Sequence, residues 1–331
     1  MNKIIPHYGV TSCDACKMFF RRVAIEKISY SCRKSGKCLE RKPIKRPLCR
    51  ACRLQKCIDS GMVYVPESEK ILEVANRAQV DSFKLLTNML AMHSKMHVKL
   101  MQYYTKDDPS LEDILNGKRT RVKKKKPQLK LRPEQWSFFD LYILVSSFKK
   151  LDFVKNLTSN DKLILFRNSI MRVCILGSSM RALQEGKDHV GAPDGQEIYP
   201  PELADFLKID PVVLKRICDL LVTRLIELRM TNEEFILFRL ILFCNPAIPS
   251  LSDDGRSVLS TYQKTYTSIL LQYCQQTYQQ SAPSRLTDLL SLCHVINKSY
   301  EDVTYLVMTF QMTSPVQGFK YHRLSLDLFQ L

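Results

Sequence analysis

Cys13-Asp14-Ala15-Cys16-Lys17-Met18-Phe19-Phe20-Arg21-Arg22, followed by Cys32-x5-Cys38-x10-Cys49-x2-Cys52, is the stretch whose reading decides the fold of the first sixth of this chain. Cys32, Cys38, Cys49 and Cys52 supply four thiolates, the number a closed tetrahedral structural zinc site needs. So short a segment cannot build a sufficient apolar core, and bound metal takes its place. A fifth thiol, Cys57, is expected to pack between helices. Cysteines paired at x2 spacing amid dense Lys and Arg suit a zinc-folded module that reads DNA.

The charge distribution points the same way. Of a net +17, residues 1–64 carry 15 Lys/Arg against Asp14, Glu26, Glu40 and Asp59, and Lys118–Arg132 adds nine cations with no acid. The rest of the chain is close to neutral. A concentrated basic field suits a polyanion, nucleic acid before a membrane surface. Seven of the 12 cysteines precede residue 58, which in an intracellular chain favours metal over disulfides. The start Met-Asn-Lys-Ile-Ile-Pro is no secretory signal, and no uninterrupted apolar run approaches a membrane span. A nuclear location is expected, and Lys118–Lys126 would serve as an import signal or simply as a solvated loop.

Beyond Gly61-Met62 the texture is helical. Ile71, Val74, Ala78, Leu85, Met89, Met92, Met96 and Tyr103 fall in steps of three, four and seven, a stripe for packing on its own domain or on a partner. Asp107-Asp108-Pro109 breaks that stripe, and Lys118–Arg132 reads as a solvated loop. From Pro133 onward, helices are predicted through Trp136–Phe148, from Asn160-Asp161, and through Pro211–Leu228, Asn232–Phe243, Asp253–Gln279 and Pro283–Met312. A small hairpin is expected only at Gly191–Tyr199. The domains read as 1–64, zinc-folded; 65–132, a hinge with one helix and a basic loop; and 133–331, all-α in three layers.

His7-Tyr8-Gly9-Val10, the Cys13–Arg22 run and the closing Cys49-Arg50-x-Cys52-Arg53-Leu54-Gln55-Lys56-Cys57 together resemble the DNA-binding domain of nuclear receptors. The resemblance implies a helix starting near Cys13 that lies in the major groove. Lys17 and Arg22 would reach base edges, and Asp14, Ala15 and Met18 hold positions that tune half-site choice. His7, Tyr8, Arg50, Arg53 and Lys56 would clamp phosphates, which positions without specifying. Arg33–Lys37 resembles the family's dimer loop. The family carries two zinc ions, with a first finger C-x2-C-x13-C-x2-C. Only its second pair, Cys13 and Cys16, is present here, and counting thirteen residues back runs past Met1. A cut-off first pair is therefore expected, with His7 the nearest further ligand and weak DNA binding by the chain as written. The x10 of the second finger, where x9 is usual, is a smaller departure.

Residues 133–331 resemble, more loosely, the nuclear-receptor ligand-binding domain. The clearest stretch runs from Phe148-Lys149-Lys150-Leu151-Asp152-Phe153 to Leu165-Phe166-Arg167, with Val154 where an aromatic is usual. The resemblance makes Lys149 the cation that caps a short coactivator helix and Arg167 its second basic member. Asp327 stands where the terminal helix usually has Glu, and Ser325 where it usually has an apolar residue. The shorter acid reaches less far, which leaves the sign of control open. A pocket for a small lipophilic ligand would be lined by Phe138, Tyr142, Ser146, Met171, Cys174 and Ile175, unless these are ordinary core. Partners implied are a half-site on double-stranded DNA, a second receptor as homo- or heterodimer, and transcriptional coregulators. A receptor variant that no longer binds DNA and acts by dimerisation or cofactor titration is the alternative. No phosphate loop, HExxH or Ser/His/Asp arrangement suggests an enzyme.

Overall fold

The computed structural model describes residues 5–36, 38, 48–64, 67–126, 128–313 and 322–329, with the backbone alone for 5, 6 and 67–80. The chain forms two units, Met1–Asp81 and Ser82–Leu331.

In the first unit β1 (Ile5–His7) pairs antiparallel with β2 (Val10–Ser12). Tyr8 and Gly9 between them have φ of 54° and 88°, the double left-handed turn that matches strand twist. Cys13 is extended and starts α1 (Asp14–Glu26), with Asp14 in the positive first turn. α2 (Arg50–Asp59) is capped by Cys49, whose sulfur accepts from the Cys52 N–H. Phe20 of α1 packs with Cys57 and Met62, and the Tyr8 ring lies 5.6 Å from Phe20. Cys57 thus fills the gap between the two helices, as expected from the sequence.

α3 (Glu67–Gln102) follows. From Ser82 onward it belongs to the second unit, where Leu86, Met96 and Leu100 are buried in the core. Packing on its own domain is therefore what this part of the stripe does; the side chains of Ile71, Val74 and Ala78 lie outside the described residues. β3 (Tyr103–Thr105) pairs antiparallel with β4 (Val122–Lys124). This corrects the solvated-loop reading of the basic run. Val122 packs on the core, and the Lys125 ammonium sits 3.7 Å from the centroid of the Trp136 ring, a cation–π contact. Between the strands lies α4 (Leu111–Leu115), closed by a capping box in which Ser110 and Asp113 exchange hydrogen bonds.

The remaining helices are α5 (Pro133–Phe148), α6 (Asp152–Lys155), α7 (Ser159–Gln184), α8 (Glu202–Leu207), α9 (Pro211–Leu228), α10 (Asn232–Phe243), α11 (Asp253–Tyr278), α12 (Ala282–Thr313) and α13 (Arg323–Phe329). Gly191–Tyr199 makes a single bridge, Gly191 to Glu197, where a hairpin was expected. α7 is long and apolar enough by composition to cross a membrane, yet it is the central helix, touching α4, α5, α9, α10, α12 and α13.

Buried charges fix how these helices meet. α7 starts at Ser159, one residue ahead of its Asn160-Asp161 signal, because Thr158 caps it. That frees the Asp161 carboxylate to accept from the backbone and hydroxyl of Ser252, at 2.9 and 2.7 Å, which ties the start of α7 to the start of α11. Gly255 leaves room for it: a Cβ there would fall 2.8 Å from the Asp161 carboxyl carbon. Glu234, fully buried, completes the capping box of α10 with Thr231 and takes both arms of Arg285 at 2.7 and 2.6 Å. Arg285 also donates to the Leu228 carbonyl at the end of α9. Burial alone would push the Glu234 carboxyl up; Arg285 and the Thr231 N–H outweigh it and hold the group below its ordinary 4.5.

Removing one member leaves the other charged and dry. Arg285→Met should cost about 3–5 kcal/mol in urea unfolding, and pairing it with Glu234→Met should recover most of that. Because the Glu234 pKa is lowered on folding, the pair's contribution is present above pH 4.5 and fades as pH falls through the folded value. The acid limb of the stability profile should accordingly flatten in the double variant.

Candidate zinc centre, nucleic-acid face and helix groove

The four sulfurs converge. Cys32 lies 3.8 Å from Cys38, 3.7 Å from Cys49 and 3.5 Å from Cys52, and Cys38 lies 4.0 Å from Cys49. Four thiolates bound tetrahedrally at a zinc–sulfur distance of about 2.3 Å stand about 3.8 Å apart along each edge. The donor set and its spacing fit zinc. Backbone hydrogen bonds from Gly36 and Lys34 bring the Cys32 thiol down to about 6, while burial and its thiol neighbours push Cys52 up to about 12. The α2 N-terminus contributes two of the ligands, which couples metal binding to the formation of that helix.

Cys13 and Cys16 sit one helical turn apart at the start of α1. The Cys13 thiol is lowered, chiefly by the Cys16 backbone N–H and then by its thiol. Among the described residues no third His, Cys, Asp or Glu joins them. His7, the further ligand suggested by the sequence, instead lies 3.5 Å from the Asp14 carboxylate.

α1 buries Phe20 and Val23 and turns the opposite face outward. Asp14, Ala15 and Arg22 are exposed, Met18 is 52 % exposed, and Lys17 is half-buried. Arg53 is partly committed within the fold: one amino group donates to the Ala15 carbonyl at 2.8 Å, and its guanidinium lies 4.6 Å over Phe19. Arg50 lies over the Tyr30 ring, Tyr8 is packed on Phe20 and Tyr64, and Lys56 is exposed. Within the dimer-loop stretch, Lys37 lies outside the described residues.

Lys149 caps the end of α5, and Asp327 lies on α13. Both touch the same short helix. The Lys149 ammonium donates to the Ile114 carbonyl of α4 at 2.5 Å, and the Asp327 carboxylate accepts from the Leu111 N–H at 2.7 Å. Aspartate therefore does reach a helix N-terminus here, although it is shorter than the expected Glu. Arg167 on α7 has its Nε buried without a hydrogen-bond partner among the described residues.

A cavity of about 360 Å³ opens between α5, α7, α12 and α13. Met171, Cys174 and Ile175 line it. Phe138, Tyr142 and Ser146 do not; α5 instead presents Trp136, Ser137, Asp140 and Leu141. Since α5 is apolar nearly all round, its sequence carries no amphipathic phase, and the inward face was misread by one residue. Phe138 stacks on His322 at 4.0 Å. Burial raises the Cys174 thiol, which is neutral there. Asp140 and Arg181, paired at 3.3 Å, are the polar handle that sequence reasoning missed.

Comparison with known proteins is consistent over both units. Residues 4–64 match the double treble clef zinc finger of C4 type, and residues 118–310 match the ligand-binding domain of nuclear hormone receptor. The chain is 38% identical over 325 residues to nuclear hormone receptor family member nhr-51 of Caenorhabditis elegans, covering 98% of this chain and 86% of that one. It is 34% identical to family member nhr-52 and 33% identical to nhr-268 of the same organism, each covered over 95% of its length.

Cys52→Ser should remove one zinc per chain in native mass spectrometry and melt α2, with a loss of helical circular dichroism matching its ten residues. Cys57→Ser, in the adjacent apolar gap, should keep the metal and lower stability by about 1–3 kcal/mol.

Proposed function

Because the chain belongs to the nuclear hormone receptor family, a non-enzymatic class of transcription factors with zinc-finger DNA-binding domains, we propose that it reads a specific half-site through α1 and regulates RNA polymerase II transcription in the nucleus. The observation that carries this reading is the Cys32–Cys38–Cys49–Cys52 cluster, in the same unit as a helix that turns Arg21 and Arg22 outward. Lys17 and Arg22 make the base contacts, with Asp14, Ala15 and Met18 setting the half-site. His7, Tyr8, Arg50, Arg53 and Lys56 address phosphates, Arg53 with the donors that Ala15 leaves free. Zinc supplies the scaffold and no chemistry. A second receptor is the dimer partner, and coregulators meet the surface bounded by Lys149, Arg167 and Asp327.

The cavity would hold a small lipophilic molecule with one polar group directed to Asp140 and Arg181. Ser325 and Phe329 of α13 help line it, so an occupant would touch the helix that carries Asp327. One observation favours the second reading, a receptor that dimerises without binding DNA: Cys13 and Cys16 have no further ligand among the described residues.

Zinc stoichiometry and salt-dependent binding separate the two. For a DNA reader, Arg22→Ala should cost about 1–3 kcal/mol at one base position and relax preference there. Lys56→Ala should weaken all sequences alike and reduce the slope of log affinity against log salt by about one. Fluorescence anisotropy across a salt series checks both. One zinc per chain with no sequence preference at any salt would leave the dimerising receptor in its place.

A further inference from the structure

The loop from β3 to β4 carries a helix whose sequence is Leu111-Glu112-Asp113-Ile114-Leu115. Its apolar residues fall at i, i+3 and i+4, so they share one face. Leu111 is 0% exposed and Ile114 2%, and Leu115 packs partly against the same core. The surface that covers them is made by α5, α7 and α13. Lys149 takes the Ile114 carbonyl in the helix's last turn and Asp327 its first N–H, so a cation sits at the negative end and an anion at the positive end. The approach is fastened too. Asp108 accepts from the Arg323 backbone at 2.9 Å and lies 3.1 Å from His322, and Asp113 is 3.2 Å from Arg323.

We propose that the coregulator groove of this protein is occupied by its own segment Leu111–Leu115, and that an external coregulator helix binds only by displacing it. The inference rests on the reading of Lys149 and Asp327 as the two ends of a helix-binding groove. The β3–β4 ladder closes the loop at its base, from Thr105 to Val122, and the helix sits at its tip. A tethered occupant of this kind acts at an effective concentration of about a millimolar. A free helix of similar intrinsic affinity, in the tens of micromolar, is then weakened on the order of 10- to 100-fold. Burial holds the Lys149 ammonium below its ordinary value, in keeping with a cation withdrawn from water by the helix it caps. The partner class follows from the occupant: a short amphipathic helix with bulky aliphatic residues at i, i+3 and i+4.

The test uses the full chain and a fluorescein-labelled synthetic peptide of residues 106–120 as probe. Anisotropy titrations are run on the parent chain, on Leu111→Ser/Ile114→Ser, and on that double variant carrying Lys149→Glu. The expected result is at least tenfold tighter binding to the double variant, lost again with Lys149→Glu. Should the double variant fail to fold, hydrogen exchange on the parent chain decides: saturating peptide should expose the amides of 111–115. Equal affinity for parent and double variant, or unchanged protection of 111–115 at saturation, overturns self-occupation and leaves the groove reading standing. Peptide binding to neither chain overturns the groove reading and the proposal with it.

Discussion

A carboxylate taken fully out of water must find cations or N–H groups, and at Glu234 the helical unit meets that demand with three helices at once. Its own helix α10 is capped by it, α12 supplies Arg285, and Arg285 reaches the end of α9. Apolar contact is non-directional, so it resists the sliding of these cylinders through shape alone. The ion pair admits one register. Asp161 does the same for α7 and α11, and Arg216 with Asp302 for α9 and α12. With the helix ends so indexed, α5, α7 and α13 present a defined edge, and both the cavity and the groove are spaces between indexed helices.

The cavity and the groove share α13. Its Ser325 and Phe329 face the cavity while Asp327 holds α4. It is a seven-residue helix, too short to be stable by itself, and its position depends on what it touches on each side. The first unit has a different economy. Phe20, Cys57 and Met62 are its buried centre, far too little to hold a fold without the sulfur cluster.

Much of this was legible in the chain. The quartet of cysteines was readable because metal ligation constrains number and spacing, and α9 and α10 fall on their predicted bounds because Pro211 and the Thr231–Glu234 box mark their starts. Lys149 and Asp327 were picked out by resemblance, but not what lies between them. A five-residue helix has no period to detect; its only signal was Ser110-x-x-Asp113 ahead of an aliphatic residue. The face of α5 was misread for the opposite reason, since a helix buried all round has apolar residues in every direction. The pairing of Val122–Lys124 was hidden by composition: a lysine run looks solvated, yet an edge strand takes lysines readily, and one of them found an indole.

Gly255 is glycine for reasons of space and not of backbone conformation, since the Asp161 carboxylate fills the place a methyl would take. The two positions therefore cannot drift independently. A side chain at 255 becomes acceptable only after the residue at 161 has shortened, and shortening it strips Ser252 of its acceptor. Any lineage crossing that ground would pass through a weakened intermediate, so the pair acts as a ratchet on sequence change, ninety-odd residues apart in the chain and in contact in the fold.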